Sequence, residues 1–180
     1  MPLMAVMDAA RSEVAAGIMK DAIDLPPAVR EFQSPNGKFV LTLSNSDNWT
    51  TRFVCAQFDA VSGPSRRRLW KQVLPHEHGP RQVYLTDAGA VVLIDEWINI
   101  PSRHALMLID HNGQTLAHQS LDALIRILGV QRQAITVHAR LGVWLMAHPV
   151  ISTNGAVMSI PVENRSLDLK LTTGHLVLEP

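Results

Sequence analysis

Short apolar segments of strand length recur along this chain, separated by turn residues. Four of them follow one another between Arg81 and Ser120. The first alternates apolar and polar residues, the period of two expected of a strand. Ala90–Ile94 and Ala105–Ile109 are instead continuous apolar runs, as expected of strands covered on both faces. The pattern predicts a small antiparallel sheet that lies between two other layers.

Turn residues repeat at a fixed spacing. Gly37 and Gly89 are 52 residues apart, and SPNGKFVLTL aligns with TDAGAVVLID without a gap. A further 52 residues lead from Val91 to Val143, which aligns AVVLI with GVWLM. Three units at one spacing indicate a repeat architecture, and such periods suit propeller blades. We predict an all-β fold with one or two short helices, in which three four-stranded antiparallel units cover about 29–76, 79–120 and 133–180 of a single domain, 29–180.

The third unit fits this scheme with changes. Ile135–Val137 is predicted as its first strand, and Leu141 takes the place of the turn glycine. The segment IPVENRS is interpreted as an insertion. Leu167–Leu171 and His175–Leu178, joined by a turn at Gly174, are predicted as the last pair of strands.

Helical spacing of apolar residues appears in two places. Asp8 to Lys20 predicts an amphipathic helix, and Pro26-Pro27 ends it, so residues 1–28 form an N-terminal helix and linker. Between the second and third units, LDALIRILGV predicts a short helix at 121–129. Ser120 is its candidate N-cap and Gly129 its candidate C-cap.

The segments SPNG-KFVL, TDAG-AVVLIDEW, LMLIDHNGQTL and LKLTTGHLVLE resemble blades of bacterial β-propeller-like proteins of the WD40/YVTN-like class. The resemblance covers about Val29–Pro180 and implies blade-type sheets. The GH…WD signature of true WD40 repeats is missing, so the partner rules of that family do not carry over. Single-chain propellers have four or more blades, whereas this chain has three units.

Three blades in a row would leave two apolar outer faces exposed. A partial propeller could bury them by forming a homodimer, which would complete a ring. The N-terminal helix and the helix at 121–129 could instead cover them in a monomer. The sheets could also curl together into a barrel-like body.

Composition narrows the function classes. The 180 residues are 47% hydrophobic and 18% charged, as in globular proteins. Sixteen basic residues balance sixteen acidic ones, which disfavours nucleic acid as a partner. No apolar run reaches the ~18 residues of a membrane span. Charged residues interrupt Met1–Ala22, so we predict a cytoplasmic protein, or a periplasmic one if an upstream leader is missing.

The most suggestive polar cluster is Pro75-His76-Glu77-His78. Alternate residues of an extended segment point the same way, so His76 and His78 could ligate one metal ion, with His104 or His118 as a further ligand. The alternative interpretation is a polar connector between two units.

Other candidates have mainly structural interpretations. The one cysteine, Cys55, is predicted to be a buried structural thiol. The pair Asp95-Glu96 could do acid–base work, but Glu96 is predicted to be solvated, and Asp110 to bond backbone amides in its turn. The basic run Arg66-Arg67-Arg68 is predicted to be a solvated strand end. The tryptophans favour core packing, with Trp97 partly exposed.

No catalytic motif and no cofactor motif gives a positive reason to predict an enzyme. The leading hypothesis is a non-catalytic binding or scaffold domain whose partner is a protein. One alternative is a metal-binding protein or enzyme that uses the His76/His78 loop. Another is an exported envelope protein whose leader is missing.

Overall fold

The computed structural model describes residues 24–98, 102–139 and 143–180. These residues form three antiparallel four-stranded sheets and two short helices. The elements are β1 Val29–Gln33, β2 Phe39–Ser44, β3 Val54–Ser62, β4 Ser65–Leu74, β5 Pro80–Leu85, β6 Val91–Glu96, β7 Leu106–Ile109, β8 Thr115–Gln119, α1 Leu121–Leu128, α2 Arg132–Ala139, β9 Val150–Ile151, β10 Val157–Val162, β11 Arg165–Lys170 and β12 Leu176–Glu179. The predicted fold class, three blade-like sheets with one or two short helices, is confirmed.

Each sheet is a meander of hairpins. The first sheet has the order β1-β2-β3-β4 and the second β5-β6-β7-β8. The predicted turn glycines Gly37, Gly89 and Gly113 all have positive φ, between 69° and 87°. Glycine adopts such angles without steric cost, which explains why these turns are tight. Both sheets have their predicted four strands, and β3 and β4 meet across the Gly63-Pro64 turn.

The third sheet differs from its prediction. It has the order β12-β11-β10-β9, and its first strand is β9 rather than Ile135–Val137, which lies within α2. IPVENRS is not an insertion, because it forms the end of β10, the Glu163-Asn164 turn and the start of β11. The predicted strand GVWLM is not a strand over its described part, 143–146, and Leu141 lies outside the described residues.

The true counterpart of the repeated turn is Ser152-Thr153-Asn154-Gly155. Its Gly155 N–H donates to Ser152 O at 2.8 Å, as Gly37 donates to Ser34 O at 2.9 Å in the first sheet. Gly89 and Gly155 are 66 residues apart, so the spacing of 52 holds only between the first two sheets. The additional residues accommodate α1 and α2.

Helix α1 is confirmed at both ends. Ser120 is its N-cap, and its side chain accepts a hydrogen bond from Ala123 N. Gly129 is its C-cap in the left-handed conformation at φ 62°. The buried face of the helix packs on the second and third sheets through Leu121, Leu124 and Leu128.

The second sheet contributes to two hydrophobic clusters, one on each face. Val91, Leu93, Met107 and Ile109 pack with the first sheet. Val92, Ile94, Leu106 and Leu108 pack with α1 and the third sheet. Every residue of β6 and β7 is buried, which confirms that this sheet lies between two layers.

Trp144 fills the same core without belonging to a strand. It is fully buried, its indole N–H donates to Ala105 O at 2.8 Å, and its backbone N–H donates to Asp95 Oδ2 at 2.9 Å. Leu145 is buried and Val143 half-buried. The core position predicted for Trp144 is therefore correct, and Leu145 joins it there, but the strand assigned to this segment is wrong.

The outward faces of the first and third sheets are not bare apolar surfaces. In the first sheet, outward positions include Glu31, Thr42 and Gln57, which are paired across β1, β2 and β3. In the third, Ser159 and Asp168 pair on the outward face and hydrogen-bond at 2.7 Å. The prediction of two apolar outer faces is wrong because the strands of both sheets alternate, which places polar residues outside.

The predicted N-terminal helix, Asp8–Lys20, lies outside the described residues. The described chain begins in the linker, where Trp97 Nε1 donates to Asp24 O at 2.7 Å and Trp49 Nε1 donates to Pro26 O at 2.9 Å. These bonds fix the linker across one end of the first two sheets.

Among the described residues, no helix is long and apolar enough to cross a membrane.

Candidate functional site

The loop from His76 to Gly79 is a turn, not an extended segment. Gly79 N donates to His76 O at 3.2 Å, and His78 N donates to Arg52 O at 2.9 Å. His78 has a φ of 57°, in the left-handed region. Alternate residues of a strand point in the same direction. Because this segment is a turn, the side chains of His76 and His78 do not.

The ring of His78 packs on Trp49, with 5.5 Å between the ring centroids. The ring of His76 instead packs on His104 at 5.2 Å. The structure thus separates the predicted pair and joins His76 to a different partner.

Three imidazoles lie together where the loop after β4 meets the second sheet. His104, two residues before β7, has its ring centroid 4.8 Å from that of His118 on β8. The Nδ1 atom of His104 is 2.6 Å from Nε2 of His118, within hydrogen-bonding distance. His76 packs on the same His104 ring, and these residues form a histidine cluster, defined here as His76, His104 and His118.

Glu96 lies beside the cluster. Its carboxylate is buried and 3.8 Å from Nε2 of His104. It accepts hydrogen bonds from Glu77 N, Arg103 N and the Ser102 hydroxyl at 3.2–3.3 Å. The prediction of a solvated Glu96 is wrong, because these donors compensate for burial of the carboxylate.

Burial governs the protonation of the cluster. His76 is fully buried, and desolvation lowers its pKa to about 3, with the like charges of His104 and His118 adding to the effect. Desolvation also lowers the pKa of His104, while the charge of Glu96 opposes that shift. The His76 ring is therefore neutral at physiological pH.

His76 has no hydrogen bond of standard geometry from either ring nitrogen within residues 24–98, 102–139 and 143–180. The His104 backbone lies near enough to favour the charged ring slightly. A buried polar atom without a partner costs free energy, so this arrangement calls for an explanation.

A second buried acid, Asp95, directly precedes Glu96 on β6. Burial raises the pKa of Asp95 to about 7, and the neighbouring charge of Glu96 adds to the shift. Asp110 has a structural role. Its Oδ1 accepts hydrogen bonds from Asn112 N and Gln114 N at 2.8–2.9 Å, as predicted for a turn residue.

A cleft of about 390 Å³ opens beside Glu96 and His104 and is lined also by Pro75, Glu77, Ile98 and Arg103.

The described parts of the chain contain no group of three or more His, Cys, Asp or Glu residues already arranged to hold a metal ion. His104 and His118 come closest, because one nitrogen of each faces the other. Sequence reasoning named these two only as helpers of the His76/His78 pair.

The first sheet carries a second feature that the sequence did not indicate. The registers of its strands align Val29, Ser44, Cys55 and Val73 across the whole sheet. These four residues, called the outer row, lie on the face turned away from the second sheet. Val29 is 61% exposed and Val73 63%.

Cys55, in the middle of the outer row, is partly exposed. The prediction of a buried thiol is wrong because β3 alternates, and Cys55 falls on its outward side. The apolar run Phe53–Phe58 concealed this alternation, since Val54, Ala56 and Phe58 are its buried residues.

The remaining candidates have structural partners. All three residues of the run Arg66-Arg67-Arg68 are exposed, and Arg66 forms a bidentate ion pair with Glu31 at 2.8 and 3.0 Å. Trp97 is half-buried, as predicted, and lies between the guanidinium groups of Arg30 and Arg81, 4.9 and 4.6 Å from its ring.

Comparison of the chain with protein-family models found no match, and comparison with curated proteins found none either. The relation to WD40/YVTN-like proteins therefore stays a prediction.

Proposed function

We propose that this chain is a non-catalytic binding domain whose partner is a protein. The observation that supports the proposal is the outer row, in which the exposed Val29 and Val73 flank Ser44 and the partly exposed Cys55. Phe53, which directly precedes β3, adds a further apolar side chain that is 63% exposed. Grouped exposed apolar residues with a polar surround are typical of protein interaction sites.

Polar residues lie beside the outer row, which further supports the proposal of an interface. Two residues further along the strands, Glu31, Thr42, Gln57 and Lys71 form a polar row on the same face. Protein interfaces commonly combine an apolar centre with such a polar rim. The meander topology places both rows on one continuous surface.

Cys55 offers a direct test, because it is the only cysteine of the chain and lies in the outer row. A photoactivatable crosslinker attached to Cys55 should capture one protein from a lysate of the source cells. Excess unlabelled chain should compete for the capture, and Val73→Asp should abolish it. A crosslinked band at twice the mass of the chain would identify the partner as a second copy.

Val150 provides the matched control. It is 63% exposed, like Val73, but belongs to the third sheet. Val150→Asp should leave the capture unchanged. Capture without competition, or equal loss in both variants, would contradict the proposal.

We also propose that the blade-like sheets are related to those of WD40/YVTN-like propeller proteins, and that the protein lies in the cytoplasm. The discovery of an in-frame leader upstream of Met1 in the gene would change the proposed location to the periplasm.

A further inference from the structure

We propose that His104 and His118 bind a divalent transition metal ion of the zinc type, with His76 as the third protein ligand. This site goes beyond the proposed protein-binding function, because it lies at the histidine cluster and not on the outer row. It also replaces the predicted pair of His76 and His78, which the turn at 76–79 separates.

The first argument is the direction of two nitrogen atoms. Nδ1 of His104 and Nε2 of His118 face each other at 2.6 Å. Two imidazole ligands at the usual bond length of about 2.0–2.1 Å on a tetrahedral ion have nitrogens about 3.3 Å apart. The pair must therefore separate by about 0.7 Å, and His118 is exposed on β8, where it has room to move.

The second argument is the unsatisfied ring of His76. It is fully buried against His104 and has no hydrogen-bond partner of standard geometry in the described part of the chain. A turn of this ring toward the gap between the other two would give one buried nitrogen a strong partner. The three residues are not a preformed set, so metal binding must include this rearrangement.

The third argument is the position of Glu96. Its carboxylate faces Nε2 of His104 at 3.8 Å and is itself held by two backbone amides and a hydroxyl. A carboxylate beside one nitrogen favours a proton there and leaves the other nitrogen free to bind the ion. Metal-binding histidines commonly have such a partner. Glu96 is thus a positioning residue for His104.

The chemistry of the cluster selects the class of ion. Neutral imidazole nitrogens suit zinc, copper, nickel and cobalt, whereas magnesium and calcium prefer oxygen ligands. Three imidazoles would leave the fourth position of a tetrahedral zinc ion for water or another ligand.

Calorimetric titration of the full chain with ZnCl₂ tests the proposal. We expect one site per chain, and His118→Asn should weaken zinc binding at least tenfold. His118 is exposed, so this variant should retain the fold, which circular dichroism can verify. His175→Asn, at another exposed histidine, is the matched control and should bind zinc as the unmodified chain does.

A third variant separates the two histidine pairs. His78→Asn should leave zinc binding unchanged, and asparagine tolerates the positive φ of that position. Zinc should shift the side-chain nitrogen NMR signals of His76, His104 and His118, but not that of His78. Absence of one-site binding, loss of binding in His78→Asn, or unaltered binding in His118→Asn would overturn the proposal.

Discussion

The first and second sheets share strand order and turn type, yet their sequences differ in one respect. The strands β6 and β7 of the second sheet are apolar at every position but two, Asp95 and Glu96, and all their residues are buried. The strands β2 and β3 of the first sheet place Thr42, Ser44, Gln57 and Asp59 at alternate positions between buried apolar residues. Loss of alternation thus indicates a sheet with neighbours on both faces.

The comparison also explains how a row of three sheets avoids exposed apolar faces. The two outer sheets alternate, so each presents polar residues outward, as terminal repeats of stacked proteins do. The outer row of the first sheet is an exception to this pattern, which is why we assign it a binding role.

The largest effect should come from the core of the second sheet. Leu108 is fully buried between the second sheet, α1 and the third sheet. Leu108→Ala should lower the free energy of unfolding by about 2–5 kcal/mol, because it leaves a cavity. Val73→Ala on the outer row should cost less than about 0.5 kcal/mol. Urea denaturation measures the free energy of unfolding of both variants. Equal losses would contradict the difference in burial between the second sheet and the outer row.

A close approach of backbones joins the second and third sheets at Gly174. A Cβ at this residue would lie 2.3 Å from Leu116 O, and Gly174 has a φ of 74°. We expect Gly174→Ala to cost more than about 2 kcal/mol, because strain and a backbone clash combine.

Gly63 is the matched control for Gly174. It lies in the β3–β4 turn with a φ of 56°, and an added Cβ there would meet nothing within 4 Å. Gly63→Ala should cost about 1 kcal/mol from the backbone conformation alone. Thermal unfolding that ranks the two variants in the opposite order would refute the packing of the third sheet on β8.

The sequence was sufficient for the first two sheets because local signals agree there. Turn glycines and strand-length apolar runs coincide, and the caps of α1 are explicit. The third sheet was misplaced because a fixed spacing of 52 was extended to Val143. The motif Ser152-Thr153-Asn154-Gly155, similar to Ser34-Pro35-Asn36-Gly37, was the signal that could have found it.

The candidate sites were harder to predict, for physical reasons. His78 has a positive φ, so its side chain does not point in the direction expected for an extended segment. A histidine in the sequence gives no sign of such a backbone angle. His104 and His118 are brought together by the pairing of β7 with β8, which depends on register. The outer row likewise exists only once four strands are aligned, so it is a property of the sheet and not of any segment.

Asp95, the second-last residue of β6, allows a test based on how stability changes with pH. Its folded pKa of about 7 lies above the usual 3.8, so the folded state holds a proton that the unfolded state releases. The stability of the unmodified chain should therefore lose this contribution as pH rises from about 4 to 7. The slope should reach at most about 1.4 kcal/mol per pH unit.

Asp95→Asn removes this titration and keeps an oxygen that can accept from Trp144 N. Asparagine also tolerates the φ of 52° at this position. The stability of the variant relative to the unmodified chain should increase from pH 4 to pH 7, as measured by urea denaturation at several pH values. A difference that stays constant with pH would show that Asp95 is not a buried, protonated acid.

The smallest effect should come from the outward face of the first sheet. Arg66 and Glu31 form an exposed ion pair that solvent and salt screen. Arg66→Ala should leave the thermal midpoint almost unchanged at 0.5 M salt. A large loss there would mean that this face is covered by something other than solvent.

Amide hydrogen exchange of the intact chain tests the central claim, that the second sheet lies between the other two. Exchange measured residue by residue reports the free energy of the opening that exposes each amide. We expect the amides of β6 and β7 to exchange slowest, only through global unfolding, and those of β2, β3, β10 and β11 to exchange faster. Slower exchange in the first or third sheet than in β6 and β7 would contradict it.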